Sequence, residues 1–251
     1  MKKIIDCMAL AVAGSALAGC ATTPVLEQRL GPALADDISY SYDSSTDTVT
    51  LMQGGADLAT LTANGSLGTA SLYTSSQTVA MRRTTASGKG EVTVLASADA
   101  DFGIVGAIAS RAGTVGLPAT GSANFKGGYS SLLITASDKV AVIGITGVAC
   151  LNANFAARSI GGQIIARNGF DFNNVTIIPT PITPGGSFST SATGGESTVG
   201  TLSTTSNGAV QGMFADVAAG EIVGMLRLDH DLAGTAAYEI GGFTTLAGSC
   251  P

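Results

Sequence analysis

Gly208-Ala-Val-Gln-Gly-Met-Phe-Ala-Asp-Val-Ala-Ala-Gly-Glu-Ile-Val-Gly224 holds two short apolar runs, Ala209 to Ala215 and Gly220 to Leu228, on either side of a break at Asp216. Neither run carries a helical stripe. Their internal glycines would each weaken a helix by about 1 kcal/mol, but they let a strand bend sharply enough to close a small barrel. A third run, Ala236 to Thr245, follows, so the C-terminal end reads as three strands that close a sheet. Glu221 is the odd member. A carboxylate in a near-apolar strand needs a partner if it faces inward, and it is read as a group that stabilises the sheet rather than as a ligand.

Working upstream, Phe102 to Ser110, Thr120 to Phe125, Ser130 to Ala136 and Lys139 to Val148 are apolar runs separated by glycine-rich breaks. Turn signals every 8 to 12 residues or so suggest a sandwich or barrel. Pro179, Pro181 and Pro184 remove ladder donors, so their segment is expected as a surface loop, with Ile177 to Ser191 as one exposed segment long enough to move at a binding mouth of the barrel. In the N-terminal half, Thr48 to Met52 and Asp57 to Thr62 flank Gly54-Gly55 in a hairpin pattern. Asn64-Gly65 reads as a further turn, and Gln77 to Arg83 and Glu91 to Ala96 as strands. Arg82, Arg83 and Lys89 are expected to form a small solvated basic spot.

Charged residues make up 12% of the chain and the net charge is −6. There is no basic face to neutralise phosphates, which argues against nucleic acid as a partner. The 34 glycines, with many Ser, Thr, Ala and Val and no Trp, favour strands and tight turns over long helices.

Three segments together resemble the β-barrel of the transferrin-binding protein B family. The opening stretch is similar to its pattern G-x-x-x-G-x-F-x-x-x-x-A-x-E-[IV]-x-G, and Tyr238-Glu239-Ile240-Gly241-Gly242-Phe243 echoes the second half. Leu117-Pro118-Ala-Thr-Gly121-Ser-Ala123-Asn-Phe125-Lys-Gly127 resembles the opening segment of that barrel, and Cys150 to Gly162 its middle strand pair. These motifs arrive in family order over about Phe102 to Pro251. The resemblance implies an all-β fold in which a small β handle-like region, residues 37–96, precedes an eight-stranded antiparallel barrel, residues 97–251. Phe125, Phe155, Phe214 and Phe243 are expected to fill the barrel. It also implies a surface protein that binds something, iron- or haem-related, with an outer-membrane receptor as a further partner. Only one lobe of such a protein has room here, and the long gripping loops are missing. No resident cofactor is expected. Small barrels of this wider type are associated with haem, and an axial ligand would then come from His230, Tyr129 or Tyr238, or from Met213 or Met225.

The N-terminal end reads as an export signal. Met1-Lys2-Lys3 is a short positive region, and the apolar stretch to Ala18, interrupted by Asp6, is shorter than the roughly 20 residues needed to span a bilayer. Leu17-Ala18-Gly19-Cys20 resembles a lipobox. Residues 1–19 are therefore expected as a lipoprotein signal peptide, Cys20 as the acylated (palmitate-bearing) first residue, and 20–36 as a lipidated tether. Ala21 and Thr22 lack the Asp that typically retains lipoproteins in the inner membrane, so the outer membrane is the expected address. Of four cysteines, Cys7 leaves with the leader and Cys20 is acylated. Cys150 and Cys250 are then expected to form a disulfide, closing a loop worth about 4 to 5 kcal/mol in the chain-entropy model, or to remain as two free thiols. Asp229-His230-Asp231 holds the single histidine and reads as a polar loop. On a strand, its aspartates would face away from the imidazole, and one histidine does not make a zinc or non-haem iron site. The chain is thus expected to be no enzyme and to hold no metal. The two function classes left are a lipid-anchored binding protein and a structural envelope lipoprotein without a specific ligand.

Overall fold

The computed structural model describes residues 25–98, 103–137, 139, 141–168, 172–197, 202–204 and 208–251; the predicted leader and Cys20 lie outside them. Among the described residues every regular element is a strand. Eight of them form one antiparallel sheet: β1 (Val25–Ala33), β2 (Ile38–Asp43), β3 (Thr48–Gln53), β4 (Ala56–Leu67), β5 (Ala70–Thr74), β6 (Thr78–Thr84), β7 (Gly90–Ser97) and β8 (Val105–Ala112). β2 to β8 run as a meander, and β1 lies beside β8, so that β1 and β2 are the two edges. In a flat eight-stranded sheet these edges would stand about 33 Å apart. The link from Ala33 to Ile38 reaches at most about 18 Å, so the sheet must curl. Arg29 on β1 closes the gap by donating to the carbonyls of Ile38 (2.5 Å) and Ala35 (3.3 Å). Inside the curl, Ile38, Leu51, Leu61, Tyr73, Leu95 and Ile108 form one core.

The sheet is larger than the expected handle. Val25 to Ala33, expected as tether, pairs with β8 from Val25↔Ala112 to Leu30↔Ala107. This stretch has little period of its own, and it is held by the open edge of β8 and by burial of Leu30. Val105 to Ala112, expected in the barrel from the extent of the resemblance, belongs to the sheet, where both of its faces are covered. Gly54-Gly55 makes the expected tight hairpin turn, both residues at positive φ (58° and 88°). Asn64-Gly65 is no turn. The register of β4 against β5 slips between Ala63 and Gly65, so the glycine marks a bulge inside a strand.

The second half closes on itself. β9 (Ser122–Thr135), β10 (Ala141–Asn154), β11 (Ser159–Ile165), β12 (Val175–Pro181), β13 (Ser187–Gly194), β15 (Gly208–Phe214), β16 (Glu221–Leu232) and β17 (Thr235–Ala247) pair in that order, and β17 returns to β9. The result is the expected eight-stranded antiparallel barrel. β14 (Leu202–Thr204) continues the line of β15 along β16, with Thr204 opposite His230, and the β15 ladder begins at Ala209 opposite Arg227.

The opening stretch of sequence is the β15–β16 hairpin, and its glycines have a packing reason. Gly212 and Gly224 lie directly opposite each other. A Cβ on Gly212 would sit 2.4 Å from the Phe188 ring, and one on Gly224 would sit 2.3 Å from the Phe243 ring. The two bare backbones make room for aromatic rings from the flanking strands. Those rings join Phe125, Phe155 and Phe214 in the interior, where Phe125 and Phe214 meet edge-on at 5.6 Å.

The proline segment corrects another expectation. Pro179 and Pro181 lie in β12, and the connection to β13 is only Ile182 to Gly186, so Ile177 to Ser191 is barrel wall and not a long mobile loop. The backbone ladder between β12 and β13 covers only Val175 to Ile177. Beyond it, hydroxyls stand in for the missing donors: Thr190 donates to the Ile178 carbonyl (2.9 Å) and Thr180 to the Ser189 carbonyl (3.0 Å).

The outer face of the curled sheet packs on the outside of the barrel. Met81, Val92, Val94 and Ala107 meet Leu132, Met213, Val223, Met225 and Ile240 in a shared core. Three polar clasps cross the seam. Glu221 accepts from the backbone N–H of Ser87 (2.8 Å) and from its hydroxyl, so its carboxylate faces the sheet and not the barrel interior. Arg111 donates to the carbonyls of Phe214 (2.8 Å) and Gly185 (2.7 Å). Arg83, expected on the surface, is buried and donates to Ser130 (2.8 Å) and Thr69. Burial lowers its pKa to about 10. Arg82 faces the other side and pairs with Glu91 over the Tyr42 ring.

Candidate functional site

Strand alternation turns Phe125, Tyr129, Ser131 and Leu133 of β9 into the barrel, together with Leu226, Leu228 and His230 of β16 and Ala237, Glu239 and Phe243 of β17. A polar layer therefore lies between the aromatic core and a smaller apolar group of Leu133, Ile145, Phe172, Leu202 and Ala237. Glu239 is its centre. One carboxylate oxygen accepts from the Tyr129 hydroxyl (2.7 Å) and the Ser131 hydroxyl (2.9 Å). The other faces the Arg167 guanidinium and His230 Nε2 (3.3 Å). Arg167 and Glu239 are both fully buried.

Burial alone would raise the pKa of Glu239. The Arg167 charge opposes it, and the His230 and Tyr129 contacts add to that, so the carboxyl is held down at about 2. Burial, and next the Glu239 charge, push the Tyr129 phenol well above its ordinary value. Arg167 reaches past the carboxylate to the barrel mouth, donating to the carbonyls of Asn173 (2.7 Å) and Gly195 (2.9 Å) and lying 4.7 Å from the Phe172 ring centre. Its role is that of a strut from the barrel interior to two mouth connections.

Two of the three sequence-selected binding residues, His230 and Tyr129, thus meet at Glu239. Tyr238 does not join them. It faces out from the barrel, with the Arg227 guanidinium 5.3 Å from its ring centre, and Arg227 pairs with Asp229 at 2.8 Å. Asp229-His230-Asp231 is strand and not loop, and its aspartates do face away from the imidazole. Met213 and Met225 are sealed in the seam. These positions do not fit an axial haem ligand: His230 and Tyr129 are held on Glu239, and the methionines lack an open side. Among the described residues no three His, Cys, Asp or Glu side chains gather to hold a metal. Sequence reasoning missed Glu239 and Arg167. A lone Glu in the apolar run Tyr238 to Phe243 was the available signal, the same signal that drew attention to Glu221.

A cleft of about 390 Å³ opens where the curled sheet meets the β9–β10 end of the barrel, between Ser75, Gln77, Thr78 and Ala98 on one side and Lys139 on the other. Cys150 and Cys250 are free thiols, side by side on the outer barrel wall.

No family profile matches the chain, and no curated protein matches it in sequence. Solved structures do match. A point mutant of transferrin-binding protein B from Haemophilus parasuis is 15% identical, with a TM-score of 0.50 over 89% of this chain and 45% of its own. The isotype 1 protein of that name from Neisseria meningitidis is 14% identical, with a TM-score of 0.50 over 89% of this chain and 43% of its own. The chain spans less than half the length of either. At that identity the likeness concerns fold, and the curled sheet packed on an eight-stranded barrel is a fold of the transferrin-binding protein B type.

Proposed function

We propose that the chain is a lipid-anchored binding protein of the outer membrane that captures a protein partner, or a small nutrient carried by one, without catalysis. The observation that carries this reading is the fold of the transferrin-binding protein B type behind the lipobox-like Leu17 to Cys20. Proteins of that name bind transferrin. This chain spans less than half of one, so the partner is proposed as a class, an iron- or haem-bearing protein, and not as transferrin itself. The groups able to do acid–base chemistry inside the barrel, His230, Tyr129 and Glu239, are bound to each other, which supports affinity over reaction as the mode of action.

Acyl chains on Cys20 would hold the protein by about 0.8 kcal/mol per buried CH₂. Since β1 begins at Val25, the five steps from Cys20 reach about 18 Å at full stretch. The curled sheet would then sit close to the membrane, without the long tether the sequence suggested. The cleft beside Lys139 is the proposed partner-facing end.

The test uses intact Gram-negative cells expressing the full chain or its Cys20→Ala variant. Expected results are palmitate labelling of the first only, its cleavage by added protease, and saturable binding of holo-transferrin or haemoglobin to it, weakened by Lys139→Glu. Equal membrane retention of the unlabelled variant would refute the anchor. Protection from protease together with no saturable binding would refute capture and leave a structural envelope protein.

A further inference from the structure

β17 ends at Ala247, but the chain stays on the barrel. The Gly248 N–H donates to the Asn124 carbonyl (2.9 Å), which turns the last residues across the end of β9. The Cys250 thiol then lies 3.5 Å from the Phe125 carbonyl. On the next strand, the alternation that sends Ala149 and Leu151 inward sends Cys150 outward, between Lys126 on β9 and Gln163 on β11. The two thiols line the same surface hollow of about 210 Å³, together with Asn124, Asn152, Gln163 and Pro251. They come from positions 150 and 250, so the fold, and not proximity in the chain, brings them together.

We propose that Cys150 and Cys250 form a redox site, oxidised by a disulfide-bearing exchange partner to an intramolecular disulfide that ties the end of the chain to the second stave of the barrel. Cys250 is half-exposed while Cys150 is 9% exposed, so an incoming disulfide meets Cys250 first. With glutathione disulfide as the oxidant, the Cys250 sulfur attacks one glutathione sulfur. The glutathione S–S bond breaks, one glutathione leaves carrying the proton from Cys250, and a mixed disulfide remains. The Cys150 sulfur then attacks the Cys250 sulfur, its proton goes to the departing second glutathione, and the Cys150–Cys250 bond forms. Two electrons pass from the pair to the oxidant, which leaves as two thiols. Burial, with Cys250 next, pushes the Cys150 thiol up to about 12, which assigns it the second, intramolecular step where proximity offsets its low thiolate fraction.

The tie would act sideways. β17 is flanked by β16 and β9, and the disulfide would carry its tail over β9 to β10, so that the closing strand could not peel away from its C-terminal end. Only the supply of oxidant in the cell rests on the export reading. The test is therefore made on purified chain, so that its failure is distinct from a failure of export.

The purified full chain is equilibrated in a glutathione redox buffer, denatured, alkylated and digested. Expected is a linked pair of peptides carrying Cys150 and Cys250, with neither cysteine alkylated. Cys150→Ser should instead trap one glutathione on Cys250, because the second step is gone. Carboxypeptidase should remove Pro251 and then stop at Cys250 in the oxidised chain, and proceed past it in the reduced one. Both cysteines alkylated, a stable glutathione adduct in the unaltered chain, or no adduct in Cys150→Ser would each overturn the proposal.

Discussion

Replacing Glu239 with Gln tests the polar layer directly. In the folded chain the carboxyl is held at about 2 against an ordinary 4.5. Each tenfold change in an acid constant is worth about 1.4 kcal/mol, so the folded state gains about 3 kcal/mol from the ionised group. A lowered carboxyl pKa contributes stability that is fully present above about 4.5 and is lost as the pH falls toward 2. Removing the charge also leaves Arg167 buried without its partner, a loss of about 3 to 5 kcal/mol. Urea unfolding followed by tyrosine fluorescence suits a chain with five Tyr and no Trp. The Glu239→Gln chain should be about 3 to 5 kcal/mol less stable at pH 7, and the difference should shrink by about 3 kcal/mol between pH 5 and pH 2. A difference that stays constant with pH, or is below 1 kcal/mol at neutrality, would refute the account of Glu239 as an ionised internal strut.

Three further outcomes are expected. Glu221→Gln should destabilise the chain by about 1.5 to 3 kcal/mol, the worth of hydrogen bonds to a charged group, and adding Ser87→Ala should cost little more; full additivity in urea melts would dissolve the clasp. Gly242→Leu should cost at least about 1 to 3 kcal/mol, because a Cβ there already lies 2.8 Å from Val92. Adding Val92→Ala should recover part of the loss, and no recovery would show that the strain lies elsewhere. Phe243→Ala should lose about 3 to 5 kcal/mol, while Leu246→Ala, three residues along and 53% exposed, should stay within about 0.5 kcal/mol; comparable losses in the two denaturation curves would contradict the assigned facing of β17.

The barrel was legible because its signals are local. Glycine-punctuated apolar runs between Gly208 and Phe243, and the Gly54-Gly55 turn, state their geometry in a few residues; that the glycines face aromatic rings of neighbouring strands emerged only from the fold. The edges of the curled sheet were not. β1 has no period of its own and exists because β8 offers it an open side, and the apolar run at Val105 looks alike whether it serves a barrel or a sheet covered on both faces. Pro179 and Pro181 misled because side-chain hydroxyls from Thr180 and Thr190 replaced the donors the ladder lacked. At the candidate site, His230 and Tyr129 were visible as residue types. Glu239 was signalled only as a lone Glu in an apolar run, and its partnership with Arg167 was not, since that arginine lies just past β11, 72 residues away in the chain, and only barrel closure brings the two together.

The curl of the first sheet has one more consequence. A closed barrel has no rim, but an open sheet has two, and each exposed row of N–H and C=O groups can template a strand from another molecule. Here the short Ala33 to Ile38 connection turns the β1 and β2 rims toward each other, and Arg29 spans the gap. The two rims are thereby bridged where β2 begins. On the proposed lipid anchor the protein would be concentrated in two dimensions and meet copies of itself constantly, and a bridged rim would then offer them less open edge to pair with.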